Sequence, residues 1–291
     1  MFVILGGNGK VGRATIAELR RIGGPVRAVV RNPSAAAELG ALGCEIVAAD
    51  LRDAASLERA IGGATAVQVI CPMSVRSDHA SLDMEAIIGA ITHALDRVRP
   101  EAILAISDYG AELGAGTGIT LTFHHLEAQL RRLPSSLTLL RSAEHMQNWS
   151  PLVNVAAKTG ILPSLHHPVT KLFPTVSAPD VGLTAARLLT SGGNAGVRVV
   201  HAEGPRRYSA RDVAATLGDL VGREITAVEL PRSDWVRALV GGGLSRSYAE
   251  LVVALYDAHN AGRIDAEEGV GEIWRGRTEL REALSLLPIH A

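Results

Sequence analysis

The chain is poor in aromatic residues: Phe, Trp and Tyr together make up 3% of its 291 positions. So few ring faces exclude a surface built to stack successive bases of single-stranded nucleic acid. An excess of one charge is missing too. The 29 Lys and Arg against 30 Asp and Glu leave a formal net charge of -1, without the basic footprint that a phosphate backbone requires. The only cysteines, Cys44 and Cys71, form no CxxC pair and no disulfide framework, which fits a reducing compartment. No apolar run approaches the roughly 18 residues of a membrane span, and Met1–Leu5 is too short and uncharged for a signal peptide. The expected location is the cytoplasm, with neither membrane nor nucleic acid as partner. Lysine is scarce as well: Lys10, Lys158 and Lys171 are the only three.

What is present is apolar bulk, 47% of the residues, and 30 glycines. A chain this apolar buries enough surface to offset its ordering entropy, so disorder is excluded as the dominant state. Over the first 140 residues short apolar runs alternate with longer amphipathic ones. Phe2–Leu5, Val26–Val30, Glu45–Ala49, Ala66–Ile70, Ala102–Ile106 and Leu137–Leu140 read as strands buried on both faces. Val11–Ile22, Ser34–Leu39, Ser56–Ile61, Ser81–Val98 and Ile119–Leu133 read as the helices between them, with Gly23-Gly24 as a C-cap signal and Asp53 as a cap. Such alternation implies right-handed crossovers in a doubly wound parallel sheet, an α/β Rossmann fold.

After Arg141 the pattern changes. Residues 142–175 read as irregular. They are followed by a helix at Asp180–Leu189, a strand at Val197–His201, a helix capped by Ser209 and Asp212, a strand at Ile225–Glu229 and mainly helical sequence. The expected organisation is a nucleotide-binding core over 1–150 and a smaller, mainly helical substrate lobe over 151–291, with 176–201 returning to the core.

The strongest motif is Gly6-Gly7-Asn8-Gly9-Lys10-Val11-Gly12, directly after the first strand and opening the first helix. Gly6 and Gly9 allow a tight turn and close approach of backbone N–H groups to a pyrophosphate; Gly12 permits close helix packing, and the helix N-terminus favours negative charge. No Gly-Lys-Ser/Thr follows, so this is not a Walker loop. At the end of the second strand, where an NAD site usually places a carboxylate, stands Arg31 in Val29-Val30-Arg31-Asn32-Pro33. A guanidinium favours a 2′-phosphate by charge and by bidentate geometry, so NADP(H) is expected ahead of NAD(H). Asp50 is positioned either to accept from the adenine amine or to cap the following helix. Cys71 and Pro72 after the fourth strand, and Ser107 after the fifth, fall on the carboxyl edge where ligands bind in open α/β sheets.

These residues, with Ala105-Ile106-Ser107-Asp108-Tyr109-Gly110-Ala111, Leu139-Leu140-Arg141 leading to Met146-Gln147-Asn148, and the late helix-capping Pro179-Asp180-Val181, resemble the NmrA-like family, an atypical branch of the short-chain dehydrogenase/reductase superfamily. The resemblance spans essentially the whole chain. It implies the Rossmann fold and a dinucleotide, but either of two roles: NADPH-dependent reduction of quinones, azo compounds and natural products, or redox sensing without turnover. Classical members of the superfamily use Ser with Tyr-x-x-x-Lys, in which Tyr donates the proton and Lys lowers its pKa. None of the three lysines lies four residues after a tyrosine, so that pair is absent. Where the Tyr would fall the chain reads Ile119-Thr120-Leu121-Thr122-Phe123-His124-His125. His124 is the candidate replacement, since histidine titrates near neutrality, and Tyr109 is a second candidate hydroxyl.

By the same resemblance Ser142–Trp149 lines the substrate cleft, which nominates His145, Met146, Asn148 and Trp149 as substrate contacts. No metal is expected, because His124-His125 and His166-His167 are adjacent pairs without metal-ligand spacing. The leading function is hydride transfer from NADP(H) to a small electron-poor acceptor, with solvent able to protonate the product. The alternative is a dinucleotide sensor acting through a protein partner. Sugar-nucleotide epimerisation is disfavoured because it needs the absent Tyr-x-x-x-Lys.

Overall fold

The computed structural model describes residues 1–192 and 196–289; residues 193–195 and 290–291, which fall within the expected returning segment and the expected lobe, lie outside the described residues. Eight parallel strands form the main sheet: β1 (Phe2–Leu5), β2 (Val26–Val30), β3 (Glu45–Ala48), β4 (Ala66–Val69), β5 (Ala102–Asp108), β6 (Ser136–Ser142), β7 (Val197–Glu203) and β8 (Glu272–Arg275). Their order is β8-β7-β6-β5-β4-β1-β2-β3. Strand order therefore reverses between β1 and β4, and a crevice opens at such a switch point beyond the carboxyl ends of the strands.

Helices cover both faces. Those at α1 (Lys10–Arg21), α2 (Ala54–Ile61), α3 (Ala80–Val98) and α4 (Thr120–Leu130) follow the first, third, fourth and fifth strands. Helices α5 (Ser150–Thr159), α6 (Ala178–Thr190), α7 (Ala210–Val221) and α8 (Arg246–Asn260) come later, with shorter helices between and after them. One core packs Leu57, Ile61, Met84, Ile88, Ile91 and Leu126 on Val3, Val67, Val69 and Ile103. The opposite face packs Ile16 and Leu19 of α1, and Val181, Ala185 and Leu188 of α6, on Ile4, Ala28, Leu104 and Leu140. Alternate residues of β5 feed opposite cores, which is why that segment reads as an unbroken apolar run. Gly182 lets α6 cross α1 closely: a Cβ there would stand 2.5 Å from the Val11 carbonyl oxygen.

The structure corrects the sequence reading in four places. Strand β3 is not buried on both faces; it is the sheet edge, with Glu45 and Ala48 exposed. Residues 142–175 are not wholly irregular, since they hold α5 and the strand Ile161–Ser164, which pairs with Thr226–Glu229. The C-terminal stretch is not simply helical, because Glu272–Arg275 adds strand β8 beside β7. Asp180 does not cap α6: Ser177 holds that position without a side-chain capping bond, and the Asp180 carboxylate accepts from the Thr278 backbone N–H at 2.9 Å and from its hydroxyl at 3.0 Å.

A separate core of Met146, Trp149, Val153, Leu162, Phe173, Tyr208, Val213, Leu217 and Leu280 builds the lobe over the carboxyl edge. Helix α7 starts in the expected capping box: the Asp212 N–H donates to Ser209 Oγ at 3.2 Å and the Ser209 N–H to Asp212 Oδ2 at 2.8 Å. Ser209→Ala is expected to lower the unfolding free energy by about 1 kcal/mol, measured by urea denaturation; an unchanged midpoint would deny the box that role. Among the described residues no helix is long and apolar enough to cross a membrane, and no group of three or more His, Cys, Asp or Glu is arranged to hold a metal.

Candidate functional site

The glycine loop joins β1 to α1 as a tight turn. Gly6 sits at φ +64°, where an L side chain is strained. The Gly9 N–H donates to the Gly6 carbonyl at 3.0 Å and the Gly7 N–H to the Val29 carbonyl at 3.1 Å, tying the turn to β2. Gly12 is required by space: its Cβ would lie 2.6 Å from the Gly6 carbonyl oxygen and 3.0 Å from Gly7 Cα. Arg13, which sequence reasoning passed over, buttresses the turn from outside. It donates to the Asn8 carbonyl at 3.0 Å and to the Asn8 side chain, and pairs with Glu38.

A cleft of about 1100 Å³ opens above this turn. Gly6, Asn8, Gly9, Lys10, Val11 and Gly12 line its floor; Arg31, Asp50 and Pro72 line its β2, β3 and β4 sides; His145 and Asn148 line its far wall. Helix α1 points its N-terminus at this floor, so unpaired backbone N–H groups and the Lys10 ammonium favour an anion there. Arg31 is exposed at the rim and makes no hydrogen bond or ion pair with another described residue. Its neighbour at the rim, Arg52, is tied to Asp83 at 3.0 Å. Asp50 lines the cleft and also accepts from the Arg52 backbone N–H at 2.9 Å, so it serves its own turn.

His145 is a neutral wall. Burial, with the Lys10 charge adding, pushes its pKa down to about 4. The Ser142 hydroxyl donates to the Ala143 carbonyl at 2.9 Å, so it accepts from His145 Nε2–H at 3.0 Å and leaves Nδ1 as the acceptor. Gln147 also lines the cleft and was not singled out by sequence; its amide bridges to the Ser177 hydroxyl at 3.1 Å and the Ala178 N–H at 3.0 Å, pinning the start of α6. A strap of Met73, Ser74, Val75 and Arg76 roofs the cleft. Ser245, the N-cap of α8, latches it by donating its N–H to the Val75 carbonyl at 2.9 Å and its hydroxyl to the Ser77 carbonyl at 2.6 Å.

Several nominated residues lie outside the residues lining this cleft. Cys71 is buried in the sheet core, where desolvation pushes its thiol up to about 12. Ser107 points to the α4 face and donates to Glu127 Oε1 at 2.7 Å. Tyr109 is 1% exposed, packed edge-on to His201, with its hydroxyl on Glu203 Oε1 at 3.3 Å; burial and that carboxylate push its pKa up. His124 donates Nδ1–H to the Ala111 carbonyl at 2.8 Å, and the exposed His125 faces a groove between α3 and α4. Met146 and Trp149 belong to the lobe core. For Ser107 the reason is one of direction: adjacent residues at a strand end face opposite sides of the sheet, so nearness in sequence does not give a shared cavity.

The profile of a family described as NAD(P)H-binding matches residues 6–142, from the glycine loop through β6. A solved structure of an NmrA mutant superposes with a TM-score of 0.74 at 17% identity, covering 99% of this chain and 95% of that one. Residues 6–142 thus match an NAD(P)H-binding family, and the chain shares the fold of NmrA. An NAD(P)H azoreductase of Xenophilus azovorans is 26% identical to this chain over 258 residues, covering 88% of this chain and 86% of its relative. Quinone oxidoreductase 2 of Escherichia coli is 24% identical over 257 residues, covering 87% and 85%. A crystal structure of an NADPH-dependent quinone oxidoreductase from Escherichia coli superposes with a TM-score of 0.77 at 22% identity, covering 98% of each chain.

Proposed function

We propose that the chain is an NAD(P)H-dependent oxidoreductase that takes NADPH in preference to NADH and reduces a quinone, an azo compound or a similar electron-poor small molecule. The observation that carries the reading is the continuity of the cleft. The glycine loop, the free Arg31 and the wall of His145, Gln147 and Asn148 border one space roofed by Met73 and Val75. Apolar surface with a few amide and imidazole groups suits a planar acceptor with polar edges. The names of the azoreductase and quinone oxidoreductase relatives point to the same substrate class.

Within this reading the α1 N-terminus and Lys10 hold the pyrophosphate, and Arg31 holds the 2′-phosphate. The bound nucleotide supplies the hydride; the chain orients the acceptor and keeps water out beneath the strap. The test is fluorescence titration with NADPH and NADH, followed by a quinone and azo panel. Saturable NADPH binding with oxidation by at least one acceptor is the expected result. Binding with no oxidation by any acceptor would favour a dinucleotide sensor instead. Arg31→Ala is expected to raise the NADPH Kd about 10-fold or more, the worth of a charge-assisted contact, and to leave the NADH Kd unchanged. Equal loss for both nucleotides would sink the 2′-phosphate assignment.

A further inference from the structure

The strap that roofs the cleft is attached at few points. Residues 73–77 run between β4 and α3, with Ser74, Val75 and Arg76 exposed and Met73 half-buried. One backbone bond lies within the strap, from the Ser77 N–H to the Ser74 carbonyl at 3.1 Å. Among the described residues, Ser245 alone hydrogen-bonds the strap backbone from another element. Its N–H reaches the Val75 carbonyl at 2.9 Å and its hydroxyl the Ser77 carbonyl at 2.6 Å. The Met73 side chain adds a sulfur contact with Thr122 Oγ1 at 4.0 Å. A segment with few buried contacts and one polar attachment opens locally, far more readily than the sheet beneath it unfolds.

The latch stands beside a joint. Gly241, Gly242 and Gly243, all exposed, lead from the short helix Trp235–Gly241 to Ser245 and α8. Gly243 takes φ +96°, which suits glycine alone. Gly241 has no such requirement: it ends the helix, and a Cβ there would meet nothing within 4 Å. Glycine is a poorer helix former than alanine, so at a position that would accept alanine its distinctive contribution is backbone freedom. We propose that Ser245 is a positioning residue and the strap it holds is the gate through which the nucleotide enters and leaves the cleft.

The nucleotide takes the floor of the cleft, on the glycine loop and the α1 N-terminus, with the strap above. With the latch made, residues 73–77 close over it. When Ser245 swings on the glycine joint, the Val75 and Ser77 carbonyls turn to water and the strap lifts. Each lost bond is replaced by one to solvent, so opening costs little net free energy. Opening governs passage in both directions. The gate therefore sets the rates of binding and release, while the floor and Arg31 set the affinity. The Ser245 hydroxyl also accepts from the Tyr248 N–H at 3.0 Å as the N-cap of α8, so a test must separate latch from cap.

Ser245→Asp makes that separation. A carboxylate caps a helix as well as serine does, but it has no proton to donate to the Ser77 carbonyl. Stopped-flow fluorescence with NADPH should find association and dissociation both about 5-fold faster, the worth of one hydrogen bond, with Kd within about 2-fold of wild type. Ser245→Thr, which keeps both donor and cap, should restore the wild-type rates. Gly241→Ala stiffens the joint and should slow both rates about 2-fold or more, with the melting temperature at or above that of wild type. Hydrogen exchange without nucleotide should find the amides of 73–77 faster in Ser245→Asp. Wild-type rates in Ser245→Asp or in Gly241→Ala would overturn the gate. So would faster dissociation alone with Kd rising in proportion, the result of a merely structural role. Each of these outcomes leaves the oxidoreductase reading standing. Gated binding without oxidation of any acceptor would sink that reading and support the gate.

Discussion

Gly12→Ala is expected to weaken NADPH binding about 10- to 100-fold and to lower stability by about 1–3 kcal/mol, the range for forcing extra volume into packed structure. The three atoms nearest the added Cβ are all backbone: the Gly6 oxygen at 2.6 Å, Gly7 Cα at 3.0 Å and the Gly7 carbonyl carbon at 3.2 Å. No side chain can rotate away, so the turn itself must open. That turn also aims the N–H groups of the loop and α1 at the cleft, which is why stability and binding fall together. Gly9→Ala separates the two. Gly9 has φ -75° and ψ 165°, ordinary for any residue, and its Cβ would meet only the Gly6 oxygen at 3.4 Å. Its stability should stay within about 0.5 kcal/mol of wild type, while a methyl group on the cleft floor weakens binding. Thermal denaturation and fluorescence titration of both variants check this; wild-type NADPH affinity in Gly12→Ala would refute it.

Arg141→Met is expected to destabilise the fold by about 3–5 kcal/mol, as removal of one partner from a buried ion pair does. Arg141 is 1% exposed within β6. It donates to both Glu127 oxygens at 2.9 and 2.8 Å and pairs with Glu112 and Glu267. The guanidinium thereby ties β6 to α4, to the loop after β5 and to the segment leading into β8. Burial alone would raise the Glu127 pKa; Arg141, with Ser107 and Arg131, more than offsets this and holds it below the ordinary value. A depressed carboxyl contributes stability above its unfolded pKa and loses it as pH falls through the folded one. In Arg141→Met the burial of Glu127 is no longer offset and its pKa rises, so the deficit should be largest at neutral pH and shrink as acid protonates it. Adding Glu127→Gln should recover part of the loss. Urea denaturation at neutral and mildly acid pH reads all three; a deficit independent of pH would remove Glu127 from the explanation.

Much of the nucleotide half was legible because its signals are local. Phe2–Leu5 and Val26–Val30 match β1 and β2 end for end, since short runs of β-branched and apolar residues between turn signals admit little else. The glycine spacing predicted the cleft floor, and Arg31 its rim. The far wall of the cleft was less legible. His145 and Asn148 reach the cleft, whereas Met146 and Trp149 alternate with them into the lobe core. A short helical turn distributes neighbouring side chains around its axis, and only the packed lobe decides which direction is inward.

The sequence by itself determined the parallel α/β core, the nucleotide turn at the β1–α1 junction and the absence of a Tyr-x-x-x-Lys pair, all properties of adjacent residues. Only the tertiary structure decided that Glu272–Arg275 completes the sheet, that Ser245 latches a strap 168 residues away, and which strand-end side chains share a cavity. The scarcity of lysine and aromatics excluded chemistries. What replaced them depends on contacts between distant segments, whose pairing is set by the burial of whole surfaces and leaves no pattern in any one stretch of chain.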